Sequence, residues 1–171
     1  MSQPKENPGF LEYVYELNEG RELSEAFRLS LQQIDELDID QFKRIGLRTY
    51  AEGKWTLHKI LQHLIDWERI WCFRAVIFAR GEGTIPVAHD QEIMGTNSNA
   101  DELSIEQLIE ELRIVRQSTL LLFRSFNEDI LGTTCTFFEY EMPLYAIGFT
   151  ITAHQIHHLN VIQERYLLLD R

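Results

Sequence analysis

Proline limits the folds open to this chain by where it is missing. It occurs only at positions 4, 8, 86 and 143. Proline breaks a helix interior because it has no backbone N–H and its ring clashes with the preceding turn. The long stretches between these positions are therefore free to be helical, and their apolar residues recur at helical spacing. Four segments read as amphipathic helices. "GRELSEAFRLSLQQIDEL" over 20–37 places Leu23, Phe27, Ile34 and Leu37 at that spacing, with "FLEYVYEL" before it as a separate turn or an extension. "KWTLHKILQHLIDWERIWCFRAVIFAR" follows, with Thr56 as N-cap, Gly81 as stop, and an apolar face running from Leu57 to Ala75. In "SIEQLIEELRIVRQSTLLLF", Ser104 and Gln107 have the form of a capping box. The stripe of that helix is Ile105, Leu108, Leu112, Val115, Thr119 and Leu122. The fourth helix starts after Pro143 and runs to about Leu169. Four such helices predict an all-α, antiparallel four-helix bundle. The connections are long: 84–102 reads as a long loop whose role as a lid stays open, and "NEDILGTTCTFFEYEMPL" as a strand pair or extended flap.

The chain's 171 residues suit one domain, 1–171, with a core of its own. Acidic residues outnumber basic ones 27 to 16, for a net charge of −11. That charge repels phosphate backbones and anionic lipid, so neither nucleic acid nor membrane is an expected partner. The polar start "MSQPKENPGF" has no apolar signal region, and no segment is apolar enough to span a bilayer. Two cysteines, Cys72 and Cys135, make no disulfide framework, so reduced thiols and a cytoplasmic location are expected.

The last helix carries the chemistry. "FTITAHQIHHLNVIQERY" places Ile147, Ile151, His154, His158, Val161 and Arg165 on an unbroken 4-3-4-3-4 seam. Residues four apart share a helix face, so His154 and His158 can aim at one point. His157 sits on the shoulder of the seam and reads as a hydrogen-bonding or interhelix residue. His63, in "LQHLIDWER" on the second helix, is the candidate third ligand, since facing bundle helices bring distant residues together. Three histidines would leave an open position for water or substrate, the catalytic rather than the structural pattern for zinc. The competing reading is packed, hydrogen-bonded histidines. From spacing alone both stay open. A zincin-type peptidase is excluded, because Gln155 stands where HExxH has its glutamate. Asp66 is a candidate to orient a histidine, Arg165 a candidate for an anionic substrate, and Trp67 a candidate pocket wall. His58 and His89 fit no metal spacing, and Arg74, Arg80, Arg113 and Arg116 read as solvated or paired.

"KWTLHKILQHLIDWERIWCFRA", followed far downstream by "TAHQIHHLNVIQERYL", resembles the DinB-like (DinB/YfiT-like) family of small helical bundle proteins, over nearly the whole chain. That pattern has one histidine on the second helix and an H-x-x-x-H pair on the last. The resemblance implies that His63, His154 and His158 bind one divalent metal, nickel or zinc, with water completing the shell. It also implies a homodimer. Family members of known activity include transferases and isomerases that use a low-molecular-weight thiol, and others are read as hydrolases. For this chain the resemblance implies a metal-dependent S-transferase or hydrolase acting on a small-molecule substrate. The alternative is a non-catalytic metal-binding or stress-response module of the same fold.

Overall fold

The structure, a computed structural model, describes residues 8–82, 87–137 and 140–170. Helices α1 (Pro8–Leu17), α2 (Leu23–Asp35) and α3 (Ile39–Ile45) lead into α4 (Leu57–Ala79). Helix α5 (Gln91–Asn97) and a 3-10 turn at Ala100–Glu102 precede α6 (Ile105–Arg124). The short α7 (Glu128–Leu131) and the antiparallel strands β1 (Thr134–Phe137) and β2 (Tyr140–Pro143) lead into α8 (Leu144–Val161). The fold is all-α apart from that strand pair, and α2, α4, α6 and α8 form a four-helix bundle.

Local chemistry sets the helix ends. Thr56 accepts from the Lys59 amide, and Ser104 and Gln107 close both halves of the capping box. One expectation needs correction. The 84–102 segment is not a bare loop: residues 84–86 lie outside the described residues, but Gln91–Asn97 is helical. The Asp90 carboxylate accepts from the Glu92 and Ile93 amides, and so supplies the cap that helix needs.

Long-range contacts give the helix directions. Phe27 meets Phe123 and Asp35 meets Arg113, so α2 and α6 run antiparallel. His63 meets His154, while the Tyr166 hydroxyl just beyond α8 donates to the Trp55 carbonyl just before α4; this pair is also antiparallel. The other two neighbouring pairs run parallel. Glu68 meets Arg116 and Cys72 meets Thr119 between α4 and α6. Leu23 meets Gly148 and Gln155 bonds Ser30 between α2 and α8. A parallel neighbour cannot be reached through a tight turn, which accounts for the long connection between α4 and α6.

The bundle interior has three levels. At one end Ile34, Phe42, Leu61, Ile65, Leu112 and Tyr166 pack together. At the other, Phe27, Ala75, Phe123, Cys135, Leu144 and Ile147 do so. Between them lies a polar layer that includes Ser30, His63, Glu68, Arg116, Thr119 and Gln155, all buried. Helix α8 is enclosed on nearly every side, because α1 covers the flank that α2 and α4 leave open. Gly148 allows this crowding: a Cβ there would stand 2.8 Å from Leu23 and 3.0 Å from Phe123. Beyond Val161 the helix loosens into a π turn, Ile162–Tyr166. That turn shifts the register, so Ile162 and Tyr166 take the core positions and Arg165 is exposed. Arg165 therefore leaves the histidine seam that an unbroken helix would have continued. Cys72 and Cys135 are free thiols, and among the described residues no helix is long and apolar enough to cross a membrane.

Candidate metal centre

Helix α4 carries His63 inward and the antiparallel α8 carries His154 and His158 toward it. The three Nε2 atoms converge: His63 to His154 is 2.9 Å and His154 to His158 is 3.1 Å. One ring nitrogen from each lies within 4.8 Å of the other two, a grouping that could hold a metal ion. Nitrogens sharing a zinc-type ion at about 2.0–2.1 Å each would stand roughly 3.3 Å apart, so the His63–His154 and His154–His158 spacings lie close to what one ion would set. The hydrogen-bond arithmetic points the same way. A neutral Nε2 holds either a proton or a lone pair, so the shared His154 nitrogen cannot form two full bonds to its neighbours. A cation would accept all three lone pairs at once.

Burial keeps these rings neutral, the form a metal requires. Burial, then the nearby His157, pushes His63 down to about 4. Burial, then His63 and His157, pushes His158 down to about 3. His154 is held well below the usual range by burial first and by the other histidines after it. The Trp55 ring lies 4.9 Å from His63 between centroids, and the Trp67 ring meets His63 edge-on at 6.2 Å.

Two cavities meet at the cluster. One, of about 440 Å³, is lined by all three histidines together with Lys54, Glu92 and Tyr166. The other, of about 280 Å³, is walled by Phe10, Tyr13, Trp67 and Trp71 and also touches His154. His157 and Gln91 border both. The site is thus open to small molecules rather than sealed in the core.

The remaining candidates fall outside the cluster. His157 bonds the Tyr13 hydroxyl at 2.8 Å and so ties α1 to α8. Asp66 does not orient His63; its carboxylate accepts from Gln62, one turn earlier on the same helix. Arg165 is carried to the surface by the π turn. His58 bonds the Leu103 carbonyl at 3.0 Å, and His89 bonds the carbonyl of Val87. Trp67 does wall a cavity.

Sequence reasoning read Arg116 as solvated or paired, and missed its partner Glu68 and the burial of both. Arg116 makes a two-pronged bond to Glu68, at 2.9 and 2.8 Å, with both side chains almost wholly buried. The signal was present. Glu68 continues the Leu57, Leu61, Ile65 row, and Arg116 continues Ile105, Leu108, Leu112, so both stand on core stripes. Gln91 and Glu92 were missed because the segment carrying them read as loop.

A four-helix bundle with an open three-histidine cluster across two helices defines a class of protein, and comparison with known proteins gives it a family. The family model described as DinB superfamily matches residues 22–162. The chain belongs to the DinB superfamily. Among solved structures it is similar to YfiT from Bacillus subtilis, described as a probable metal-dependent hydrolase with an unusual four-helix bundle topology. The TM-score is 0.63 at 15% identity, over 96% of this chain and 92% of that one. At that identity the likeness establishes the fold. No curated protein matches the chain in sequence.

Proposed function

We propose that His63, His154 and His158 hold one divalent metal ion, nickel or zinc, and that the protein is a metal-dependent enzyme acting on a small molecule. The reaction is hydrolysis or S-transfer from a low-molecular-weight thiol. The observation that carries this reading is the convergence of three neutral imidazoles on the wall of a cavity of about 440 Å³. The description of YfiT as a probable metal-dependent hydrolase supports it. Bound there, the ion would supply Lewis acidity and lower the pKa of a water or thiol toward neutrality.

The chain's own residues do the rest. Burial holds the three rings unprotonated, and Trp55 and Trp67 flank the His63 ring. The cavity gives a small substrate access, with Lys54 and Glu92 as charged groups on its wall. The protein's own thiols are unsuited to be the nucleophile. Burial pushes Cys72 up to about 11 and Cys135 up to about 12, and Cys135 has no solvent access. A thiol reaction would therefore use an external thiol. For assembly we propose a homodimer. The family resemblance supports it, and sedimentation would test it.

The deciding experiment is elemental mass spectrometry on untagged protein beside His63→Ala and His154→Ala. Near-stoichiometric nickel or zinc in the parent, absent from both variants, is the expected result. A parent that stays metal-free after incubation with either ion would overturn the reading. Activity toward small esters and amides, and toward electrophiles with and without added thiol, then separates hydrolase from transferase.

A further inference from the structure

The smaller cavity differs in kind from the one that opens the histidines to solvent. Its walls are aromatic: Phe10 and Tyr13 from α1, Trp67 and Trp71 from α4. None of its lining residues is a carboxylate, a lysine or an arginine. The guanidinium of Arg74 already occupies the neighbourhood of both indoles, 4.8 Å from the Trp71 ring centre and 5.7 Å from that of Trp67. Indoles paired with one cation are poor hosts for another, so this is no cage for a quaternary ammonium group. An anion would find no lysine or arginine on the walls, only the uncharged Gln91 and Thr150 and the edges of the His154 and His157 rings. What remains is uncharged and apolar. An apolar protein cavity of about 150 Å³ takes a benzene molecule, so about 280 Å³ has room for a substituted ring.

We propose that this cavity is the subsite for the uncharged apolar part of the substrate, an aromatic ring or a compact branched hydrocarbon group. Its polar, reacting end lies toward His154 and the larger cavity. Placing the reacting end there rests on the metal-dependent reading of the histidines; the apolar subsite stands on its own walls. One wall comes from α1, ahead of the residues that the family model matches. The family model begins at residue 22, whereas Phe10, Tyr13 and Val14 belong to α1. The bond from the Tyr13 hydroxyl to His157 pins that wall against α8. The N-terminal helix is thus a specificity element, closing one side of the subsite.

The test is a titration of the full chain, metal-loaded and chelator-treated, with 4-methylphenol and indole as neutral probes. Phenyltrimethylammonium and benzylphosphonate serve as charged ones. Tryptophan fluorescence and the indole signals in NMR report binding. The neutral probes should saturate in both preparations, shift the Trp67 and Trp71 signals, and bind more tightly than either charged probe. Phe10→Ala and Tyr13→Ala remove rings that are 37% and 44% exposed, so the bundle keeps its core without them. Each should weaken neutral-probe binding about fivefold or more with metal content unchanged. Neutral probes that fail to saturate, that bind both variants as well as the parent, or that lose to phenyltrimethylammonium would overturn the subsite. A parent that takes no metal yet binds the neutral probes would sink the metal reading and uphold the subsite. One that takes metal but no neutral probe would do the reverse.

Discussion

Within two turns of α4 the polar layer holds two clusters built on opposite logic, one buried and one opening on cavities. Glu68 meets Arg116 from α6, charges of opposite sign joined by two hydrogen bonds. His63 meets His154 and His158 from α8, three groups of one kind whose charged forms repel and whose lone pairs converge. Both clusters use one residue of α4 and a facing helix, and both sit between the same apolar ends. The first is largely complete within the protein; only the Arg116 Nη1 atom is left without a partner among the described residues. The second has no opposite charge beside it, and its converging nitrogens could take up a cation. A fold keeps the first kind of cluster as part of its frame. The second kind brings no such internal compensation, and that is the mark of a site.

Breaking the closed pair should have the largest effect. Arg116→Met leaves the Glu68 carboxylate buried and unpaired, and should cost about 3–5 kcal/mol in urea unfolding. The double variant Glu68→Met/Arg116→Met should recover most of that loss, because replacing both partners by apolar groups of similar volume is often neutral or better. A double variant as unstable as the single would show that the pair does more than balance charge.

The open cluster should respond to added metal instead. Nickel or zinc at a hundredfold excess over its dissociation constant should stabilise the parent by about 2.7 kcal/mol. His63→Ala and His154→Ala should show no gain in the same thermal scan. A comparable metal response in the variants would place the ion elsewhere.

Acid separates the clusters next. The folded pKa values of His63 and His158, about 4 and about 3, lie below the ordinary 6.5 of an unfolded histidine. Between those values the unfolded chain binds more protons than the folded one, so stability falls as the pH drops. The contribution is fully present above about pH 6.5 and is lost as the pH falls from there toward 4 and then 3. His158→Phe should flatten the pH–stability curve in that window, measured on chelated protein. An unchanged slope would mean the rings titrate normally.

The smallest effect should come from Asp66→Asn. Its carboxylate is engaged with Gln62 rather than with a ring, so stability should change by no more than about 0.5 kcal/mol and metal stoichiometry not at all. A clear loss of metal would restore the carboxylate to the cluster.

These contrasts follow what the residues announced and what they hid. The Thr56 cap, the Ser104–Gln107 box and the His154/His158 spacing involve residues three or four apart, so they are legible in sequence order. Glu68 and Arg116 were legible in principle, because each stands on a core stripe, but a charged residue is discounted when stripes are read by hydrophobicity. The register shift at Ile162–Tyr166 carried no comparable signal. An unbroken helix and a π turn place the same residue types in the same order, and only packing against the Phe42, Leu61 and Leu112 end of the core brings Tyr166 inward in place of Arg165.

The sequence by itself determined four helices, the Thr56 and Ser104 caps of two of them, and a last helix with two histidines on one face. These depend on backbone sterics and on neighbours within one turn, which act wherever the chain goes. The tertiary structure alone decided that α4 runs parallel to α6 and antiparallel to α8. It also brought His63 within 2.9 Å of a histidine 91 residues away, and set α1 down as the wall of an aromatic cavity. Those outcomes depend on which apolar faces bury one another across long connections, a choice made by the whole core at once.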